Sequence, residues 1–404
     1  MARLLPSLLA SGAAGALKKF SLPGARSQIN NKCLLLNQVQ RGSEHVEGAE
    51  WVLSLHLRRN SGVGARSETG TSPTAGKQLH VQARDTTKEI RGRIEITGKV
   101  IKAMASNKGS FVRAIDSEMK GVTNDAYRDM NRQLAGTGNG VIATCDDTSS
   151  STTVELLTTT PKSAMRQLEV GMLIDIGTVA SPTAVASERE ITSVNVSARQ
   201  IVISGAAVST TGSTHFIFRS GAGGTGVETH GLQEIVKASG SLFNVDPSTY
   251  PEWVSYAKDA ASGPINDTML EETMDEIDLA SGKEIDLWLT SYGVYRAYGD
   301  YLSKMKRSPN TVDLKGGFKA LAILSGSREA GLTRERDIPD GKAFALNTEC
   351  LFAPEMSDWH FMDDDGAVLS RVANKRAYEA TLVKDMDFAT DQRNAHGVVN
   401  SIAE

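Results

Sequence analysis

Between Trp51 and Thr97 the chain runs for almost fifty residues as an extended, glycine-punctuated segment, and no other feature limits its possible folds as sharply. The segment opens as Trp51-Val-Leu-Ser-Leu-His-Leu57, alternating in part with period two. It passes through Asn60-Ser-Gly-Val-Gly64 and Gly70-Thr-Ser-Pro73 and returns as Lys88-Glu-Ile-Arg-Gly-Arg-Ile-Glu-Ile96. Two strand-like runs joined by turn chemistry predict a long two-stranded flap. Compact domains rarely contain so long a connection unless it is functional or meets partners outside the domain. An isolated hairpin is marginal in water, so an ordered one needs a cover, and a neighbouring copy of the same chain is the simplest candidate.

Ser110 is placed to cap a helix in which Phe111, Ile115, Met119, Val122, Ala126, Met130 and Leu134 recur at spacings of three and four. This stripe predicts one buried face, with Arg113, Asp116, Lys120, Asp125, Arg128 and Arg132 toward solvent or a partner. Gly136-Thr-Gly138-Asn-Gly140 stops the helix. Composition then changes: residues 141–220 hold 25 Ser or Thr among short β-rich runs, Gly171–Ile176, Ile191–Val196, Gln200–Ile203 and Thr214–Phe218. Ser197-Ala-Arg199 between the second and third marks a hairpin, and the whole predicts a small antiparallel barrel or sandwich inserted in a host domain. From Gly231 the pattern is mixed. Helices are predicted at Pro251–Ala257 and Thr268–Ile277. A buried strand at Ile285–Thr290 leads into a helix carrying Tyr292, Tyr295, Tyr298 and Tyr301. Further strands are expected at Phe318–Leu324, Ala343–Asn347, Trp359–Met362, Tyr378–Val383 and His396–Ile402.

Signatures of chemistry are sparse. Cys33, Cys145 and Cys350 are odd in number and far apart, against a disulfide framework or a zinc site. The seven histidines show no ligand-type pairing, and no Walker-type glycine loop occurs. Gly221-Ala-Gly-Gly-Thr-Gly226 has the spacing of a dinucleotide fingerprint, but Gly231 interrupts the following segment where a long helix should open, so it reads as a linker. Asp363-Asp-Asp-Gly366 lacks the ligand spacing of a calcium loop and reads as a turn. Glu271, Glu272, Asp275 and Glu276 crowd one helix, a solvated or intersubunit face. No run of eighteen apolar residues exists, so no spanning helix is expected. The first residues have signal-peptide texture, interrupted by Pro6 and Gly12. Charge is uneven. The net is −4, yet residues 1–43 carry six basic side chains (Arg3, Lys18, Lys19, Arg26, Lys32 and Arg41) and no acid, which leaves −10 for the remainder. A basic arm on an acidic body suits contact with nucleic acid, docking on an acidic face, or a solvated tail.

The order of these parts resembles the major capsid protein of a tailed bacteriophage, with the Hong Kong 97-type fold. The resemblance rests on the basic arm, the Trp51–Thr97 loop with Arg59-Asn-Ser-Gly-Val-Gly-Ala65, the Ser110–Leu134 helix, the mixed α/β region and the closing Lys384–Phe388 and Arg393-Asn-Ala-His-Gly397 stretches. It implies an α+β fold divided into an N-terminal arm (1–49), an extended β-hairpin loop (50–98), a peripheral domain with a spine helix (99–140), an inserted β domain (141–228), an axial α/β domain (229–372) and closing strands (373–404). It also implies a structural subunit, not an enzyme, that assembles into the pentamers and hexamers of an icosahedral head enclosing double-stranded DNA.

The loop residues Trp51, Arg58, Arg59, Arg66, Lys77 and Arg84 become the expected intersubunit contacts. Lys18, Lys19, Arg26 and Lys32 form a basic arm facing DNA or scaffold. Scaffold, portal and decoration proteins are the expected partners besides further copies of the chain, with DNA held non-specifically, no cofactor and no membrane. The expected location is the virion capsid, assembled in the host cytoplasm. Some relatives crosslink through a loop lysine, and Lys77 and Lys88 are available here without an assignable acceptor. Gly62, Gly64, Gly70 and Gly76 would let the flap hinge as a shell expands. The alternatives are an encapsulin-like nanocompartment shell, a nucleotide-binding oxidoreductase on Gly221–Gly226, and an adhesin or tail protein suggested by the Ser/Thr-rich region.

Overall fold

The computed structural model describes residues 34–98, 108–305, 311–315, 318–325, 328–363 and 368–404. The basic residues Lys18, Lys19, Arg26 and Lys32, the thiol of Cys33 and most of the Asp363–Gly366 turn lie outside them.

The predicted stripe folds as a helix over Lys108–Ala135. Met119, Met130 and Leu134 are fully buried and Ala126 nearly so, while Lys120, Asp125 and Arg128 face out. Ser110 lies inside the helix and is not its cap; Phe111 and Ile115 fall where side chains are not described. Gly138 and Gly140 carry positive φ just beyond its end, where a side chain would be strained. The helix lies across the strand Lys88–Thr97. A Cβ on Gly92 would come within 2.9 Å of Val122, so the missing side chain permits that close crossing.

The Lys88–Thr97 strand is not the return limb of the flap. It pairs antiparallel with Ala377–Met386 over ten consecutive residues, from Lys88 opposite Met386 to Thr97 opposite Ala377. The limb that returns to Glu50–Arg58 is Leu79–Thr86, in register from Glu50 opposite Thr86 to His56 opposite His80. Two consecutive alternating segments compete for one partner here, and local pattern cannot choose between a neighbour and a strand almost three hundred residues away. Ala377–Met386 also pairs with the long strand Leu351–Phe361, completing a six-stranded sheet against the helix; Trp359 packs on Tyr127 with ring centroids 5.1 Å apart.

A seven-stranded mixed sheet runs in the order Tyr256–Asp259, Gly397–Asn400, Ala343–Leu346, Leu287–Thr290, Arg328–Arg334, Phe318–Ser325 and Thr311–Leu314. Its central strands are buried on both faces. Leu287, Leu289, Phe344 and Val398 face the large core shared with the long helix, while Trp288, Ala345 and Val399 face the helices Asp267–Ser281 and Tyr292–Lys304. Those helices start on side-chain caps: Asn266 accepts from the Met269 amide and Ser291 from the Val294 amide. The helix expected at Pro251–Ala257 is absent. That segment turns and enters the edge strand Tyr256–Asp259, which pairs in parallel with Gly397–Asn400. Seven residues are too short to nucleate a helix against an available sheet edge.

Between Val141 and Arg219 the chain forms its own sheet. Val141–Thr144, Phe216–Arg219, Leu173–Gly177, Ala186–Asn195, Gln200–Ile203 and Thr153–Glu155 pair in that order, all antiparallel. An antiparallel bridge from Cys145 to Leu156 brings the last strand back to the first, and the Leu157 amide donates to Thr144 O at 3.1 Å. The result is a small closed barrel whose bore is filled by Ile174, Ile176, Ile191, Ile201 and Ile217, all fully buried.

Candidate functional site at the hairpin root

The hairpin of Glu50–Arg58 and Leu79–Thr86 divides physically into a docked root and an outlying tip. At the root, the indole of Trp51 is fully buried, edge-on to Phe243 at 4.7 Å between centroids. Its Nε1–H donates to Asp387 Oδ2 at 3.0 Å. Asp387 is itself completely buried and accepts from three more donors: the His230 amide at 3.0 Å, His230 Nδ1 at 3.0–3.1 Å and the Phe388 amide at 2.8 Å. The other imidazole nitrogen, Nε2, faces Asp85 Oδ2 at 3.3 Å and Glu234 Oε2 at 4.0 Å. Asp85 lies in the returning limb of the hairpin. The imidazole therefore ties Asp85 at the hairpin's base to Asp387 in the closing segment.

Electrostatics favour a charged ring. Burial works against the imidazolium, but Asp387, then Glu234 and Asp85, outweigh it and raise the His230 pKa above the usual histidine value. Burial raises Glu234 as well. Among the described residues, Asp85, His230 and Asp387 are also the one trio of histidine, cysteine or acid side chains whose ligand atoms come close enough for a metal ion. Their geometry argues for an ion-pair relay instead. Asp387 meets Nδ1 and Asp85 meets Nε2, so the two carboxylates address opposite nitrogens of one ring and do not converge on a single point.

Secondary contacts complete the docking. The Arg84 amide donates to Phe243 O at 3.2 Å, the Asn244 side chain donates to Arg84 O at 3.2 Å, and Arg58 pairs with Glu252. The cover that a marginal hairpin requires is supplied, at the root, by the chain's own 242–253 segment. Trp51 thus belongs to the chain's own interior and presents no exposed surface. Arg58 is paired within the chain, and Arg84 is exposed but docked through its backbone.

The tip, residues 59–78, has no regular hydrogen-bonded strand and is almost wholly exposed. Arg59, Arg66 and Lys77 project from it, together with Val63 at 84% exposure. Its two limbs touch at Gly62 and Gly76. A Cβ at Gly62 would lie 2.8 Å from both Gly76 N and Thr74 O, so these glycines permit a narrow neck and are not there only for swing. Lys88 is buried beside Asp85, with its ammonium 3.2 Å from that carboxylate, and is not a tip residue.

Buried charge also fastens the barrel to the long helix. Arg132, expected on the solvent face, is buried, its guanidinium bridging Asp129 at 2.9 Å and Glu228. Arg219, at the end of the barrel's strand, reaches Asp129 at 3.2 Å. Burial opposes the Asp129 charge, but Arg132 and Arg219 hold its carboxyl below the usual range. The Gly221–Gly226 run links that antiparallel strand to the four-residue helix Leu232–Ile235, with no long helix to receive a phosphate. Arg393 is buried as well and donates to the carbonyls of Ile235 at 2.9 Å, Gly240 at 2.9 Å, Trp253 at 3.2 Å and Glu234 at 3.3 Å. Next to it, burial drives the His396 pKa down to about 3, which keeps that ring neutral beside Thr390 and Asn347.

His230, Asp387, Asp85 and Arg393 carry no motif that marks them as a set. The closing Lys384–Phe388 and Arg393–Gly397 stretches were the nearest sequence signal.

No family model matches the chain, and no curated protein matches it. Solved structures do. The capsid asymmetric unit of cyanophage A-1(L) superposes with a TM-score of 0.56 at 11% identity over 93% of each chain. The SrpI encapsulin complex of Synechococcus elongatus aligns over 91% of this chain and 87% of that one, with a TM-score of 0.46 at 9% identity. The capsid of a native GTA particle covers 92% and 90%, with a TM-score of 0.45 at 9% identity. The fold is the α+β capsid fold that the order of elements resembles.

Proposed function

We propose that this chain is the major capsid protein of a tailed bacteriophage, a structural subunit that self-assembles into the pentamers and hexamers of an icosahedral head around double-stranded DNA. The observation that carries the reading is the likeness to the cyanophage capsid chain over 93% of both lengths. The hairpin supports it: a rigidly docked root displaying an exposed basic tip is what a subunit needs in order to reach a neighbour.

In this reading the tip residues Arg59, Arg66 and Lys77 make the intersubunit contacts. The long helix with its six-stranded sheet is the peripheral domain. The seven-stranded sheet with its two helices is the axial domain, and the closed barrel is an insertion braced on the long helix by Arg132 and Arg219. Many weak contacts repeated by symmetry give cooperative closure. The basic arm with Lys18, Lys19, Arg26 and Lys32 meets DNA or scaffold. Portal and decoration proteins are further partners, and assembly takes place in the host cytoplasm before the subunit resides in the virion.

The test is to express the full chain, alone and with scaffold, and to image the product by negative-stain electron microscopy. Shells, tubes or regular capsomers support the reading. Deleting residues 60–77 should then abolish assembly while leaving the subunit's melting temperature nearly unchanged, because the root contacts remain. A small oligomer that never assembles, even with scaffold, refutes it.

A further inference from the structure

The hairpin carries a pair of histidines that neither its docked root nor its tip uses. His56 stands directly opposite His80 in the antiparallel register, on the last aligned rung before the pairing slips between His56 and Arg58 and the tip begins. The two imidazoles stack at 26° with centroids 4.8 Å apart, and both are exposed. Chain order does not reveal the pair, because the rung exists only when Leu79–Thr86, and not Lys88–Thr97, is the returning limb.

The far side of the His56 ring is held as well. Its Nε2 lies 2.9 Å from Arg58 O and 2.6 Å from Gln78 Oε1. Carbonyl oxygens only accept, so Nε2 carries the proton and donates it, and the lone pair of Nδ1 is left open. Metal-binding histidines are held in this way: the second ring nitrogen donates to a carbonyl, which fixes the tautomer and the ring's orientation. Local charge does not oppose a cation. Arg58, two residues along the same face, is paired with Glu252, and the residues of the adjoining rung, Ser54 and Gln82, are uncharged.

We propose that His56 and His80 form a binding site for a divalent transition-metal ion that takes imidazole nitrogen, zinc first among them, and that the ion clasps the two limbs at the mouth of the tip. Two nitrogens bound tetrahedrally at about 2.0–2.1 Å from zinc stand roughly 3.3–3.4 Å apart. Stacked rings 4.8 Å apart reach that span when each nitrogen tips about 0.7 Å toward the other, a small turn about the broad terminal torsion of histidine. Water completes the coordination, since both rings face solvent. The ion would fix the rung at which the ladder slips, so that the tip leaves the hairpin from a set register.

The test uses the full chain without an affinity tag, stripped of metal with a chelator and titrated with zinc chloride by isothermal calorimetry, with magnesium chloride as the oxygen-preferring control. One zinc should bind tightest per subunit, and magnesium should give no heat at that site. His56→Gln and His80→Gln should each weaken zinc binding by about tenfold or more, and Gln78→Leu, which removes only an acceptor behind the ring, by about tenfold. Because both histidines are exposed, the variants should melt like wild type. Copper chloride as a second probe should give an electron paramagnetic resonance spectrum with two bound nitrogens in wild type and one in His80→Gln. Hydrogen exchange with zinc present should slow at Leu55, Leu57 and Val81. A wild-type chain that binds no zinc overturns the proposal. So does zinc binding that survives undiminished in His80→Gln, which would place the ion elsewhere, at the root trio of Asp85, His230 and Asp387 for example.

Discussion

Asp387→Asn is the sharpest probe of the hairpin root, because it keeps the shape of the side chain and removes one charge and one acceptor. Both carboxylate oxygens are in use: Oδ1 accepts from the His230 and Phe388 amides, and Oδ2 accepts from the Trp51 indole. An asparagine can place its oxygen on only one side. With the oxygen toward the two backbone amides, its NH2 faces the Trp51 N–H, and a buried donor is left unpaired at a cost of about 1–3 kcal/mol. His230 also loses the counter-charge that does most to raise its pKa, so burial regains the upper hand. The total at pH 6 should be on the order of 2–4 kcal/mol, which for this chain length lowers the melting temperature by roughly 2–5 °C.

The pH dependence carries more information than the magnitude. The folded-state pKa of His230 lies above its unfolded value. Its contribution is therefore fully present below about pH 6.5 and is lost as pH rises through the raised folded pKa. Wild-type subunit should lose this increment of stability on going from pH 6 toward alkaline pH, and Asp387→Asn should lose much less over the same range. Differential scanning calorimetry of unassembled subunit at several pH values measures both. Hydrogen exchange should locate the loosening at Glu50–Arg58 and Leu79–Thr86, and not at the Lys88–Thr97 strand, which is held by its own ten-residue ladder. Unchanged stability in Asp387→Asn, or protection lost first from Lys88–Thr97, would refute the account of the root.

Three further outcomes follow from the packing. Arg132→Ala leaves Glu228 buried without its guanidinium and should destabilise the subunit by about 3–5 kcal/mol in a urea melt, with Arg132→Lys recovering only part. Gly177→Ala puts a Cβ 2.2 Å from the Ser181 carbonyl oxygen, a backbone atom that cannot swing away; it should cost about 1–3 kcal/mol, seen as increased amide exchange confined to the barrel. Cys145 and Cys350 are buried, and burial pushes both thiols up to about 12. In native subunit both should resist a thiol reagent at pH 8 and react only on unfolding, as followed by peptide mass.

The elements legible in the chain are those whose stabilising contacts repeat at short range. Met119, Ala126, Met130 and Leu134 announce the long helix because one helical face must be apolar wherever its partner comes from. The hairpin of Ala186–Asn195 and Gln200–Ile203 is legible because the loop between its strands is only four residues long. The tyrosine-bearing helix after a buried strand is legible for the same local reason.

What the chain alone leaves open is every choice between remote partners. Leu79–Thr86 and Lys88–Thr97 both alternate, and only the tertiary structure gives the first to Glu50–Arg58 and the second to Ala377–Met386. Arg132 has the spacing of a solvent-facing residue, and only the approach of Glu228, beside Asp129, makes it an interior cation. Trp51, Asp85, His230 and Asp387 come from four separate stretches. Their meeting is decided by the long-range sheet pairing, because a charged imidazole is tolerated inside a protein only where the fold brings its carboxylates to it.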